Sequence, residues 1–283
     1  MQAHKRTKGF GLDGLSVSVD AGLLVPNDKQ ANFYRGTSDC PNTIERVFHS
    51  QAYGEQMWQN LKNKGYLQGI GSYHELEVAE YPDMYYKLTY QIGLGIRYDY
   101  PSGWGWLLRF DYSQLTAAGQ FLLYNAPGAG VMTNQDRYVN CPIAGVESRI
   151  YIDFAISKRF VLGGNFELEA DLGFNFNNTK VKSHDIQIGG SNYSILDVWG
   201  GHNDLYAGIG SYEYVNQGGL GIGGFGTLAL SYVIPGTGSI DLGYSCYDTQ
   251  TVYTDYNKSD AYALQHVVFV RLNINGFSLF NAE

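Results

Sequence analysis

Residues 84 to 98 alternate between two kinds of side chain. Even positions carry Met84, Tyr86, Leu88, Tyr90, Ile92, Leu94, Ile96 and Tyr98, while odd positions carry mostly Lys87, Thr89, Gln91, Gly93, Gly95 and Arg97. A two-residue period places these sets on opposite faces of a β-strand. The run is longer than the ~6 residues of an ordinary strand, and with one wholly apolar face it predicts a strand of a closed barrel set in lipid, apolar outside and polar inside.

Seven further segments repeat the pattern. Residues 15–25 set Leu15, Val17, Val19, Ala21, Leu23 and Val25 against Ser16, Ser18, Asp20 and Gly22; residues 104–113 set Trp104, Trp106, Leu108, Phe110 and Tyr112 against Arg109, Asp111 and Ser113, with 120–124 as an extension beyond the membrane. Residues 149–157 oppose Ile150, Ile152, Phe154 and Ile156 to Arg149, Tyr151, Asp153 and Ser157. In 165–176, Phe166, Leu168, Ala170, Leu172, Phe174 and Phe176 alternate with Asn165, Glu167, Glu169, Asp171, Gly173 and Asn175. Three acids in successive inward positions would be hard to place in a soluble core. Segments 220–234, 239–247 and 264–274 complete the set, so the pattern predicts an all-β, eight-stranded antiparallel up-and-down transmembrane barrel.

The connections agree with this reading. Short turns lie at Pro101-Ser102-Gly103, between Lys158 and Gly164, and at Pro235-Gly236-Thr237-Gly238; the links between them, residues 26–83, 125–148, 177–219 and 248–263, are long. Bacterial barrels have short periplasmic turns and long outer loops. Both termini then fall on the short-turn side, with 1–11 a periplasmic segment, 12–276 the barrel and 277–283 a tail. Tyr98, Tyr100, Trp104, Trp106 and Tyr232 sit beside the short turns, as an interfacial aromatic girdle requires.

Composition narrows the partners. The chain has 283 residues, 36 Gly, 24 Tyr and a net charge of −8, a balance that suits strands and loops and argues against nucleic-acid binding. Outer-membrane lipid is the expected partner, lipopolysaccharide included, and no cofactor is expected. Met1 to Phe10 has no apolar core of a signal peptide, so the sequence is expected to be numbered from a mature or recombinant start.

On these strands and connections the chain resembles the small eight-stranded outer-membrane barrels of the OmpA and OmpX type. Its Tyr-, Asn- and Gly-rich loops look like those of Bacteroidetes barrels. The resemblance covers the architecture of residues 12–276 without a short diagnostic motif. It departs in its long first loop and in ending Phe280-Asn-Ala-Glu283 rather than at an aromatic. It implies a Gram-negative outer-membrane location and a non-catalytic role, either as a structural or accessory subunit of a secretion or uptake complex, or as a surface-binding module.

Inside the barrel, the alternation points Asp20, Asp99, Asp111, Asp153, Glu167, Glu169, Asp171 and Asp241 inward, with Lys87, Arg97, Arg109, Arg149 and Arg271. An eight-stranded barrel is just wide enough to be filled by side chains, so an ion-pair network is expected. A narrow channel for small solutes is the alternative. The first loop carries a helix pattern, with Asn42 and Glu45 as cap, Ile44, Val47, Phe48, Ala52, Trp58 and Leu61 on one face, and Gly65 at its end; Gly54 interrupts it. Such a helix would close the outer mouth as a lid.

Cys40 and Cys141 fall in outer loops one and two and are candidates for a disulfide, whereas Cys246 falls on the lipid face. A rim enzyme would need a His beside a carboxylate: His74 with Glu75 and Glu77, His184 with Asp185, His202 with Asp204, or His266. Asp255, Asn257 and Asp260 could offer oxygens to a cation in loop four. The Gly-rich run 218–224 lacks the helix of a nucleotide loop and reads as a crowded strand. Periodicity alone cannot say which face is inside, so a soluble ligand-binding barrel of reversed polarity stays open.

Overall fold

At Pro101-Ser102-Gly103 the chain reverses within a hydrogen-bonded turn, Gly103 N donating to the Tyr100 carbonyl at 2.9 Å and Tyr100 N to that of Trp104 at 2.7 Å. Proline and glycine favour such a reversal, and the alternating residues on either side pair from Asp99↔Gly105 to Gln91↔Ser113. The same logic builds the rest of the sheet. The computed structural model describes residues 14–50, 53–67, 69–125, 138–196, 217–254, 256 and 262–275.

Among the described residues there are eleven strands: β1 (Leu15–Val25), β2 (Val78–Glu80), β3 (Tyr85–Tyr86), β4 (Thr89–Asp99), β5 (Trp104–Tyr124), β6 (Tyr138–Gly163), β7 (Phe166–Ile188), β8 (Ser191–Ser194), β9 (Leu220–Ile234), β10 (Gly238–Gln250) and β11 (Tyr262–Asn275). Eight of them form a ring in the order β1-β4-β5-β6-β7-β9-β10-β11, every pairing antiparallel. β1 pairs with β11 along its length, so the barrel closes and no sheet edge is left in the ring. Among the described residues no helix is long and apolar enough to cross a membrane.

Three strands run on past the ring. β5, β6 and β7 have 21, 26 and 23 residues, against 11 for β1 and β4. Their outer ends form a wall on one side of the barrel mouth, extended by β2 and β3 on β5 and by β8 on β7. Much of what the sequence presents as outer loops two and three is this wall.

Along these strands the polarity of the inner face switches. On β5 the inward residues are Arg109, Asp111 and Ser113, then Leu115, Ala117, Phe121 and Leu123, all buried. Outward, Phe110 and Tyr112 give way to Gln114 and Gln120. The wall therefore turns an apolar inner surface to the loop-one segments packed against it. These include short helices α1 (Asp28–Ala31), α2 (Ile44–Phe48) and α3 (Gly54–Asn63). Phe33, Ile44, Val47, Phe48, Met57 and Leu61 are fully buried or nearly so.

Three expectations need correction. The alternation at 84–98 is not one strand, because it breaks at Lys87 and Leu88: Tyr86 before the break is buried, while the next even position, Leu88, is 62% exposed. Lys87, expected inside the lumen, is exposed, because the bulge between β3 and β4 turns it out. The single lid helix is two helices. Gly54 opens the second, and a Cβ there would collide with the Phe48 carbonyl at the end of the first, so the chain folds back where only glycine fits. Thr43 rather than Asn42 precedes the first helix, without a side-chain cap; Ala52 lies outside the described residues.

Candidate functional site

The lumen is filled by three stacked polar layers. Nearest the short turns, Glu169 on β7 is gripped by three arginines. Arg97 binds it through both terminal nitrogens, one at 2.6 Å, Arg271 Nη1 at 2.8 Å, and Arg159 Nη2 at 3.3 Å. Arg97 also reaches Asp171 Oδ1 at 2.8 Å, and Arg159 reaches Asp99 at 3.3 Å. Asp241 accepts from Asn273 at 2.6 Å and Ser239 at 2.8 Å, 3.9 Å from Arg271. Glu167 lies at the rim, 3.9 Å from Arg159.

In the middle layer Arg109 stands 2.9 Å from Asp111 and 2.6 Å from Asp153, and donates to the Tyr247 hydroxyl. Asp153 also accepts from Tyr247 at 2.9 Å and Asn175 at 2.6 Å. The Arg109 and Arg271 guanidinium groups lie over the Phe269 ring at 5.9 and 4.6 Å, so apolar surface and charge share this layer. Asp20 is buried in the same register row, opposite Arg271 on one side and Gly93 on the other, with Asp111 next across Gly93.

The outer layer joins barrel to loops. Glu147 Oε1 accepts from Arg149 Nε at 2.7 Å, and its two oxygens also accept from the hydroxyls of Tyr34 (2.7 Å), Tyr253 (2.8 Å) and Tyr86 (3.1 Å). Arg149 in turn donates to Gln30 at 2.9 Å and Gln265 at 3.3 Å. Tyr34 and Gln30 come from the long first loop, Tyr86 from β3 just after it, and Tyr253 from the fourth loop. The Tyr34 ring lies flat against Gly145, where a Cβ would collide with it, so the glycine sets how closely the loop seats on β6. Phe33 stacks on Tyr253 at 4.2 Å.

The structure thus buries eleven of the expected interior charges and places Glu167, half-buried, at the rim, with Lys87 the exception already described. It adds two, Glu147 and Arg159. Both lie on the inward parity of β6, two residues beyond the predicted ends at 149 and 157, so extending the same alternation would have found them.

Cys40 and Cys141, the candidate disulfide pair, are separate buried free thiols. Cys141 Sγ donates to the Val139 carbonyl at 3.6 Å on the inner face of β6, and Cys40 Sγ to that of Asn32 at 3.5 Å within loop one. Each packs as a small apolar group within the buried apolar cluster. Burial pushes the Cys40 thiol pKa up and that of Cys141, above the membrane, up to about 12.

Among the described residues no histidine candidate is brought together with its carboxylate. His184, on the part of β7 beyond Phe176 and the apolar belt, is buried and donates from Nε2 to the Tyr34 carbonyl at 3.0 Å, while Asp185 takes the opposite face. Burial pushes the His184 pKa down to about 3. His74 stacks on His49 and lies tilted against Tyr73 at the surface, and His266 Nδ1 bonds the Tyr244 hydroxyl at 2.7 Å. His202, Asp204, Asp255, Asn257 and Asp260 lie outside the described residues, as do segments 1–13 and 276–283. Among the described residues no group of three metal-ligating side chains is found.

Around this polar lumen the exterior is apolar: Leu94, Leu172, Phe174, Leu228 and Leu242 are each more than half exposed. Buried arginines inside exposed leucines are the reverse of a water-soluble protein, and the medium that matches is hydrocarbon. This removes the soluble ligand-binding barrel. The chain has the fold of the small eight-stranded outer-membrane barrels.

Trp104, Tyr100 and Tyr232 are exposed beside the short turns, while Tyr98 and Trp106 are half-buried and stacked on each other. No protein-family model and no curated protein sequence matches the chain. Among solved structures it is similar to NspA, Neisserial surface protein A, at TM-score 0.40 and 10% identity over 93% of this chain and 97% of that one. It is similar also to Ail, the attachment invasion locus protein of Yersinia pestis, solved with the heparin analogue sucrose octasulfate, at 0.35 and 11% over 92% and 98%. A third is the outer membrane protein OprG from Pseudomonas aeruginosa, at 0.39 and 8% over 92% and 96%.

Proposed function

We propose that the protein is a closed, non-catalytic outer-membrane barrel of a Gram-negative cell. Its work would be done by the wall and loops outside, as an accessory subunit of an envelope complex or as a surface-binding module. The observation that carries this reading is the Glu147–Arg149 pair, on which two outer loops converge to seal the lumen. Loops anchored at four polar contacts in a low-dielectric interior form a rigid platform rather than a gate. A wall of long strands on one side of the mouth also gives a partner a fixed surface to dock on.

The test is extraction from membranes in a non-denaturing detergent. A heat-dependent shift in gel migration, a silent planar bilayer and one envelope protein co-purifying at fixed stoichiometry are expected for the accessory subunit. A steady ion-selective conductance that changes on Glu169→Gln would replace this reading with a channel.

A further inference from the structure

The two lysines that break the strand pattern break it at the same height. Lys87 sits in the bulge between β3 and β4, its backbone N–H bonded to the Thr116 carbonyl of β5 at 2.9 Å. Thr116 pairs with Val146 of β6, and between Val146 and Glu147 the register to β7 shifts from Ser183 to Val181, leaving Lys182 as the extra residue. Thus Lys87 and Lys182 occupy one row across four strands, both exposed.

That row lies at the upper limit of the apolar belt. Leu88, Tyr90, Tyr112, Ile150 and Phe176 are the last large exposed apolar residues below it. Lys182 Nζ reaches back across β6 to the Tyr112 hydroxyl at 3.1 Å and Gln114 Oε1 at 3.0 Å, on the same strand that Lys87 adjoins. Lys180, also exposed, is paired with Ser148 one step below. The positions of outward parity between them, Gln114, Thr116, Val146, Ser148 and Asn178, carry hydroxyl, amide or aliphatic groups and no carboxylate. Beside the row the Asp28 carboxylate is held by the Tyr86 backbone N–H at 2.8 Å, and three lysines against it leave the row locally positive in a chain of net charge −8.

We infer that Lys87, Lys182 and Lys180 form a binding site for the phosphate groups of a phosphorylated lipid in the outer leaflet. The inference rests on the outer-membrane reading, because the long-loop end then faces the cell exterior. Two bulges in neighbouring hairpins turn ammonium groups outward where acyl chains end and headgroups begin. A lysine presents such a charge as a compact point, suited to phosphate. The Tyr112 ring, 5.8 Å beneath the Lys182 ammonium, supplies the apolar contact for the chains below.

The test measures binding of the detergent-folded full chain to micelles of diphosphorylated lipid A and of its dephosphorylated form, with inorganic phosphate as a separate arm. Tight binding to the phosphorylated lipid alone, weakened about fivefold by each of Lys87→Gln and Lys182→Gln, is expected. Equal binding of the dephosphorylated lipid, or unchanged affinity in the double variant, overturns the site. Inorganic phosphate competing at equal concentration would assign it to the free anion and overturn the lipid source. Each variant is first checked for the heat-dependent gel shift. A chain lacking that shift even unmutated refutes the membrane barrel itself, whereas a shifting chain without phosphate dependence refutes only the lysine site.

Discussion

Arg149 and Glu147 stand two residues apart on β6, bonded at 2.7 Å and fully buried. Their parity makes them neighbours on the inner face, where β6 passes from lumen to wall. Below them the barrel is filled with ion pairs; above, the inner face is apolar. The pair is therefore the boundary between a charged interior and a loop packed like a soluble core.

Glu147→Gln should loosen the outer loops more than the barrel. The carboxylate accepts from Tyr34, Tyr86 and Tyr253 as well as Arg149, and its loss leaves a buried guanidinium uncompensated. Breaking a buried pair from one side costs about 3–5 kcal/mol. Tyr34→Phe removes one hydrogen bond and should cost about 1–2 kcal/mol. Limited proteolysis within residues 26–83, followed alongside urea unfolding in micelles, would rank the two; equal resistance would show that the pair does not hold the loop.

His184 should make the wall sensitive to acid. It is buried, and its pKa is pushed down to about 3 from the usual 6.5. When folded it stays neutral down to that lower value, while the unfolded chain takes up the proton below pH 6.5. Stability is therefore lost as pH falls between 6.5 and about 3, at ~1.4 kcal/mol per pH unit. From pH 7 to pH 5 the native chain should lose about 2 kcal/mol more than His184→Gln. Parallel unfolding curves at the two pH values would contradict this.

The strands were legible because hydrocarbon outside and charge inside impose one unbroken two-residue period. β1 and β9 begin and end where their alternation does. What the period could not reveal was where it changes meaning. On β7 the inward residues run through Asn175, Asn177 and Thr179 to Val181, and then the bulge at Lys182 moves inward parity to His184 and Ile186. Past the membrane the outer face meets water and the inner face meets loop one, so the apolar set changes sides and alternation looks like loop. Glu147 was missed there, Arg159 was missed because the predicted segment stopped two residues short at the turn end of β6, and Lys87 was misplaced by its bulge. The tyrosines that hold Glu147 come from distant segments with no shared pattern, so only the fold brings them together.

Cys40 and Cys141 should stay reduced in the folded protein. Both thiols are buried, and burial raises their pKa values, so little reactive thiolate forms at neutral pH. A maleimide reagent should leave these two unlabelled in native micelles and modify them after heat denaturation. Migration on a gel should be the same with and without reductant. A reductant-dependent shift would mean that the loops rearrange to bring the sulfurs together.

Glu169 and Glu167 offer a contrast on a single strand. Both point inward on β7, but Glu169 is fully buried under Arg97, Arg271 and Arg159, whereas Glu167 sits at the rim with Arg159 at 3.9 Å. Removing the Glu169 charge leaves three guanidinium groups facing one another with less compensation, and Asp171 cannot serve all of them. Glu169→Gln should therefore cost about 3–5 kcal/mol, and Glu167→Gln less than about 1 kcal/mol because water screens its pair. Since the period-two pattern treats the two acids alike, the difference comes entirely from depth in the barrel. Urea midpoints of the two variants in the same micelle measure it, and equal midpoints would mean that the arginine cluster is solvated rather than packed.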